Sequence, residues 1–336
     1  MQALVTGGGG FLGRAIVERL LARGDRVRVL ARGDYLDLRT AGVELVRADL
    51  RDRAAVIDAC RGCETIFHVA ALAGIWGDER IYRAINYDGT LNVLAGAKTH
   101  GTAKLIYTSS PSVVFDGRDL AGVNESVPYP LHYPAAYPKT KAMAERAVLE
   151  ASNGSLSTVA LRPHLIWGPR DNHLVPRILA RARSLRRIGD ADPLIDTTYV
   201  DNAAEAHLLA ADRLAPGAAC AGRAYFISNG EPRPLWEIVN RILAAGRLPP
   251  VTRRVPAWFA ALAAVALEAT HRALRSNREP RLTRFLLGEL TKAHWFDLTA
   301  ARRDLGYTPR ISLDEGFERL RAWLAHGNRN NRPDGR

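Results

Sequence analysis

The stretch "LVTGGGGFLGRAIVERL", Leu4 to Leu20, constrains this chain more than any other. Glycines at 7, 10 and 13 stand between a short apolar run that reads as a strand and an amphipathic run that reads as a helix. Gly7 permits a tight turn, Gly10 lets backbone approach a pyrophosphate, and Gly13 lets the helix pack close to the strand. The helix N-terminus then offers free N–H groups and a positive dipole to phosphate. The strand, glycine loop and helix in that order predict a dinucleotide-binding βαβ unit, which the glycine spacing alone would not.

The rest of the first half repeats the alternation. "RVRVLAR", "VELVRADL", "ETIFHVAAL" and "KLIYTSS" read as strands, and "RAAVIDACRG" and "NYDGTLNVLAGAKTHG" as helices between them. Near-continuously apolar strands separated by helices predict an α/β fold, a Rossmann-like doubly wound parallel sheet with helices on both faces. After residue 160 the chain turns rich in Pro and Trp, and strand and helix patterns resume at "TTYVDNAAEAHLLAADRL" and "RAYFISNG". The expected division is a dinucleotide-binding domain of residues 1–160 plus 196–228, and a smaller, interleaved substrate lobe of residues 161–195 plus 229–328.

The second strand bears on which dinucleotide is bound. NAD sites place Asp or Glu about 20 residues past the glycines, at the strand end, to accept from the ribose hydroxyls. Here Ala31 and Arg32 stand there. A guanidinium can pair with a 2′-phosphate that a carboxylate would repel, so the expected cofactor is NADP(H). Asp49 and Leu50, after the third strand, are placed to meet the adenine.

Composition narrows the class. At 47% hydrophobic and 24% charged residues the chain reads as an ordinary globular enzyme, and without a basic leader or cleavage site it is expected in the cytoplasm. Three cysteines are too few for a disulfide framework, and Cys60-x-x-Cys63 lacks the further ligands a zinc site needs, so no metal is expected. The net charge of +12 is spread along helical stretches, and no nucleic-acid motif accompanies it. Ala257 to Leu267, "AWFAALAAVAL", is too short to span a bilayer and is flanked by Arg253, Arg254, Arg272 and Arg275. It reads as a buried helix, as a lid over a greasy ligand, or as a membrane or partner surface.

Chemistry concentrates at "KLIYTSSPSVVF" and "AAYPKTKAMAERAV". Pro138 suits the start of a helix, which puts Tyr137 at its lip and Lys141 one turn on, on the same face. Ser110 ends a strand 27 residues before Tyr137. A strand-end serine and a helix-lip tyrosine converge at the carboxyl edge of a parallel sheet, where ligands bind in this architecture. A phenol near pKa 10 donates poorly at neutral pH, and a neighbouring ammonium is expected to lower it.

The order TGxxGxxG, "TSS", YxxxK resembles the extended short-chain dehydrogenase/reductase superfamily, and "ALRPHLIWGP" with "TTYVDNAAEAH" resembles its 3β-hydroxysteroid dehydrogenase-like branch. "YTSSPSV", "GAACAGRAYFISNGEP" and "LTRFLLGEL" resemble the 2-alkyl-3-oxoalkanoate reductases of bacterial long-chain olefin biosynthesis. The resemblance implies that Tyr137 is the general acid, Lys141 its tuning cation and ribose anchor, and Ser110 the hydroxyl holding the substrate oxygen. It also implies a cofactor set of Gly7, Gly10, Phe11, Leu12, Gly13, Arg32, Asp49, Leu50, Ala70, Ala71, Tyr137 and Lys141, with Pro163, His164 and Leu165 along the nicotinamide. Asn86 matches a position near the active site or stabilises a turn; His68 and the side chain of His164 read as packed histidines.

The activity so implied is NADPH-dependent reduction of a long-chain, two-tailed 3-ketoacid. The alternatives are a 3β-hydroxysteroid or 4-carboxysterol dehydrogenase, and a dinucleotide-sensing scaffold without turnover. A homodimer is expected through Gly89–His100 and Lys139–Glu150, with Ala142, Ala144 and Ala147 allowing close packing, and assembly with other olefin-biosynthesis enzymes is consistent with the resemblance. Val255–Leu274, with Trp258, Phe259, Leu262 and Val265, is expected at the alkyl-chain site or its lid.

Overall fold

The computed structural model describes residues 1–274, 276 and 278–330, so Arg275 lies outside the described residues. Seven strands form one parallel sheet: β1 (Gln2–Thr6), β2 (Arg26–Ala31), β3 (Glu44–Arg47), β4 (Thr65–His68), β5 (Lys104–Thr108), β6 (Ser157–Pro163) and β7 (Arg223–Ile227), in the order 7-6-5-4-1-2-3. The helices used below are α1 (Phe11–Ala22), α2 (Gly89–His100), α3 (Ala136–Glu150), α4 (Val200–Arg213), α5 (Ala257–Ala273) and α6 (Arg284–Thr291). Strand alternation sends Ala3 and Val5 into one apolar core with Ile16 of α1 and Ala203 of α4, and Leu4 into a second core with Val93 of α2 and Val148 of α3. Both faces are thereby covered, which is why the middle positions of β1, β4 and β5 are apolar in succession rather than at every second one.

A smaller four-stranded sheet stands at the carboxyl edge of the large one. Its strands, Arg233–Pro234, Leu194–Ile195, His294–Phe296 and Leu120–Val123 in spatial order, come from four distant parts of the chain. Among the described residues, no helix is long and apolar enough to cross a membrane.

The helix α3 begins at Ala136, two residues earlier than Pro138 suggests, and Tyr137 lies in its first turn. Ala142 and Ala144 are buried in the chain's own core, because they fall on the stripe of α3 that packs onto the sheet. They are therefore not available to a second subunit, contrary to expectation. A pairing through α2 and α3 would have to use half-buried residues such as Leu91, Leu94, Met143 and Ala147.

The middle of α3 is fastened by charge. Glu145 and Arg162 of β6 form a fully buried pair, with Arg162 Nη2 donating to Glu145 Oε1 at 2.6 Å and Nε to Oε2 at 3.0 Å. Tyr129 adds an O–H donor to Oε1 at 2.6 Å. Removing one partner leaves the other charge buried and unpaired, so Glu145→Ala should cost about 3–5 kcal/mol of stability. Chemical denaturation checks this; a loss below about 1 kcal/mol would place the pair in the range of an exposed one.

Candidate active site

The glycine loop closes tightly on itself. Gly7 has φ 71°, a left-handed conformation, and its N–H donates to Leu30 O of β2 at 2.8 Å. A Cβ on Gly13 would stand 2.2 Å from Gly7 O, so the helix approaches the strand more closely than any other residue allows. The first-turn N–H groups of α1 have no intrahelical acceptors and face the loop's concavity. With Ala70 and Ala71 after β4, this cradle opens into a cleft of about 530 Å³. A pyrophosphate fits it in charge and in backbone approach.

Ser110, Tyr137, Lys141 and Pro163–Leu165 line that same cleft with Gly7, Gly10 and Phe11–Gly13. Arg32, Asp49 and Leu50 line a neighbouring hollow that shares Gly7, Ala70 and Ala71 with it. The expected residues thus come together along one edge of the sheet. Arg32 is exposed and makes no ion pair among the described residues. The Asp49 carboxylate is clamped by Arg51 through Nε and Nη2, each at 2.9 Å, which with Arg32 nearby holds it down to about 2. The acid in the hollow is therefore already neutralised, and Arg32 is left free for an anion.

The polar end of the cleft is a chain of contacts. Ser110 caps the short turn Pro111–Val114, its Oγ 2.9 Å from Ser112 Oγ, and lines the cleft together with Tyr137. Lys141, 2% exposed, donates to Thr108 O at 2.5 Å and lies 4.1 Å from the Tyr107 ring centroid. Burial lowers its ammonium to about 7 against the pull of Glu145. Burial also pushes Tyr137 up to about 12, with Ser110 acting in the opposite direction. Lys141 is turned onto the Thr108 carbonyl, and desolvation is the largest influence on the phenol. Tyr137 is thus a neutral O–H donor throughout the physiological range.

Asn86 and His68 are structural. The Asn86 side chain accepts from Leu72 N at 2.7 Å and donates to Leu72 O at 3.1 Å and Thr140 Oγ1 at 3.3 Å, tying the loop after β4 to α3. His68 sits between the hydroxyls of Thr6 and Thr90, and burial holds it down to about 3. Cys60 and Cys63 are buried, and burial pushes the Cys60 thiol up to about 12.

The apolar end was less legible. Phe115, Phe285 and Phe296 wall it, together with Glu289 and His294. Phe115 follows the serine cluster directly, whereas the others come from the last fifth of the chain, where no local pattern announces them. Trp258, Phe259, Leu262 and Val265 do not line it. They are exposed, Trp258 at 66% and Leu262 at 63%, because α5 turns its small residues Ala260 and Ala264 inward together with Glu268. Glu268 accepts from Arg284 N at 2.7 Å and Nε at 3.0 Å. The buried-helix and alkyl-wall expectations both fail for this face.

Residues 4–249 match the model of the 3-beta hydroxysteroid dehydrogenase/isomerase family. The chain belongs to this family. The 2-alkyl-3-oxoalkanoate reductases of Shewanella oneidensis and Stenotrophomonas maltophilia are each 48% identical to it, over 96% of this chain and 86% and 99% of theirs. The human sterol-4-alpha-carboxylate 3-dehydrogenase, decarboxylating, is 34% identical over 95% of this chain and 87% of its own. Among solved structures, gox2253 superposes with a TM-score of 0.78 at 28% identity, covering 97% of this chain and 98% of its own. As an extended short-chain dehydrogenase/reductase, the chain has the parallel sheet and flanking helices of that superfamily.

Proposed function

We propose that this protein is an NADPH-dependent reductase that converts long-chain 2-alkyl-3-oxoalkanoates to 2-alkyl-3-hydroxyalkanoates in olefin biosynthesis. The observation that carries the reading is the convergence of Ser110, Tyr137 and Lys141 in a cleft whose far wall is aromatic, in a chain 48% identical to reductases of that name. The division into a dinucleotide-binding part and an interleaved substrate lobe belongs to the same reading. When bound, reduced nicotinamide supplies hydride. Tyr137 gives its proton to the ketone oxygen, Ser110 donates a hydrogen bond to the charge developing there, and Lys141 supports the phenol as it loses its proton. A neutral phenol is the form that reduction requires, and burial maintains it.

Oxidation of a 3-hydroxy-4-carboxysterol to its 3-ketone is compatible with the same three residues, and the 34% identity to a sterol dehydrogenase favours including it. The intact triad speaks against a scaffold without turnover. The deciding assay is dinucleotide oxidation with a synthetic 2-alkyl-3-ketoacid and, separately, with a steroid ketone. Tyr137→Phe should lower kcat on the ketoacid by roughly 10²–10⁴-fold while NADPH binding stays near wild type. Turnover within about tenfold of wild type would reject the assignment.

The free guanidinium of Arg32 supports NADP(H) over NAD(H). Arg32→Ala should weaken NADPH by roughly 10–100-fold, the equivalent of about 1.5–3 kcal/mol for one charge-assisted contact, and leave NADH nearly unchanged. Equal losses for both dinucleotides in a fluorescence titration would overturn this.

A two-tailed acid partitions into membranes, and the exposed face of α5 suits an anionic lipid surface. Trp258 and Phe259 are interfacial residue types, and the exposed Arg253, Arg272, Arg278 and Arg281 surround the helix with positive charge. The protein should co-sediment with vesicles containing anionic lipid, and Leu262→Glu should abolish this while preserving kcat on a short-chain ketoacid. Wild-type protein left in the supernatant would end the idea.

A further inference from the structure

Beside the catalytic residues lies a cluster that the proton transfer does not use. His164 follows β6, and His294 lies in the edge sheet between Leu120 and Ile195; they are 7% and 2% exposed, with ring centroids 5.7 Å apart and edge to face. Each leaves its Nε2 buried without a hydrogen-bond partner. Glu289 of α6 brings Oε2 to 3.8 Å from His294 Nδ1. The three line the cleft, packed among Phe115, Phe285 and Phe296.

Two unpaired imidazole nitrogens in one buried place carry a desolvation penalty with no compensating bond, and such a pair calls for a ligand. Its polarity follows from the surroundings. Burial raises the Glu289 carboxyl to about 7 and lowers His294 to about 4, with Asp119 acting in the opposite direction; burial and His294 lower His164 further. The cluster is therefore near neutral when empty. Glu289 lies on the Nδ1 side of His294, which leaves Nε2 as the ring nitrogen open to a ligand. The two cations that line the cleft are already engaged, Lys141 with Thr108 O and Arg177 with Glu279. Asp171, the other acid that lines the cleft, already accepts from the backbone of His173, Leu174 and Val175, so the two free imidazole nitrogens are what the cleft offers a ligand, and an N–H there suits an anion.

Position selects the anion. Thr108 of β5 stands opposite Leu161 of β6, and Ser109 N donates to Leu161 O at 2.6 Å, so Ser110 leaves its strand beside Pro163 and His164. Neighbouring strands run about 4.8 Å apart. In a 3-ketoacid a single carbon separates the carboxylate from the ketone carbon. A ketone on Ser110 and Tyr137 thus presents its carboxylate one strand over. We propose that His164 and His294, with Glu289 behind them, form the subsite that receives the carboxylate of the 3-ketoacid. This rests on the reductase reading above, and it makes these residues the source of acid-over-ester selectivity.

The test compares the 2-alkyl-3-hydroxyacid product with its methyl ester, as ligands of the NADP⁺-loaded protein in calorimetry and, as the matching ketones, in KM. The wild type should bind the acid at least about tenfold more tightly. His294→Phe keeps the ring and removes the nitrogens, so it should bring acid and ester to parity with the ester unchanged. His294→Gln, which retains an N–H donor, should restore part of the preference, and Glu289→Gln should fall between. Melting temperature and NADP⁺ affinity, close to wild type in all three, separate this from misfolding. Ketoacid turnover with an acid preference that survives both His294 variants, or equal losses for acid and ester, would overturn the subsite alone. Absence of ketoacid turnover in the wild type would overturn the functional reading and the subsite together.

Discussion

The buried pair of Glu145 and Arg162 holds the active site in register. Glu145 lies one turn beyond Lys141 on α3, and Arg162 lies one residue before the Pro163–Leu165 segment on β6. The pair therefore locks the helix bearing the phenol and ammonium to the strand whose end, Pro163–Leu165, lines the same cleft. Burying two charges costs much of what their attraction returns, so the net gain in stability is modest. What the pair imposes is alignment. A helix sliding by one turn would leave both charges unpaired, a penalty far larger than any apolar contact on α3 could offset.

The same carboxylate reaches into the chemistry. Lys141 is buried deeply enough to lose much of its charge near neutrality, and Glu145 is the group that raises it again. The lysine is thus poised so that an added hydroxyl or phosphate nearby would restore its ammonium. Tyr137 is held neutral by burial, with Ser110 acting against that shift. Structural fastening and proton inventory are two consequences of one ion pair.

The parts of this design that were legible in the sequence are the local ones. Gly7 and Gly13 announce themselves because a φ of 71° and a 2.2 Å clash admit no other residue, and Tyr137 and Lys141 because four residues on a helix define a face. The parallel sheet covered on both faces followed from the alternation of apolar runs with helical ones. The apolar run of α5 misled, since hydrophobicity alone does not say which way a helix turns; inward space for only Ala260 and Ala264 turned the large side chains outward. Ala142 and Ala144 misled for the same reason, small residues serving close packing inside the chain as readily as between chains. His294 was illegible because it reaches the cleft through a sheet assembled from four distant segments, and Glu289 because it arrives on the helix just before that strand.

That edge sheet explains how one superfamily scaffold separates cofactor from substrate. The large sheet supplies Gly7, Ser110 and Pro163 from the ends of its own strands, so the dinucleotide side of the cleft depends only on strand order. Leu120, His294 and Phe296 arrive on the edge sheet, which pairs a strand from the first half of the chain with one from the last fifth. Substitutions there alter the substrate wall without disturbing the register of β5 and β6. Ser110, Tyr137 and Lys141 on one side and Leu120, His294 and Phe296 on the other are thus carried to one cleft by separate elements of the fold.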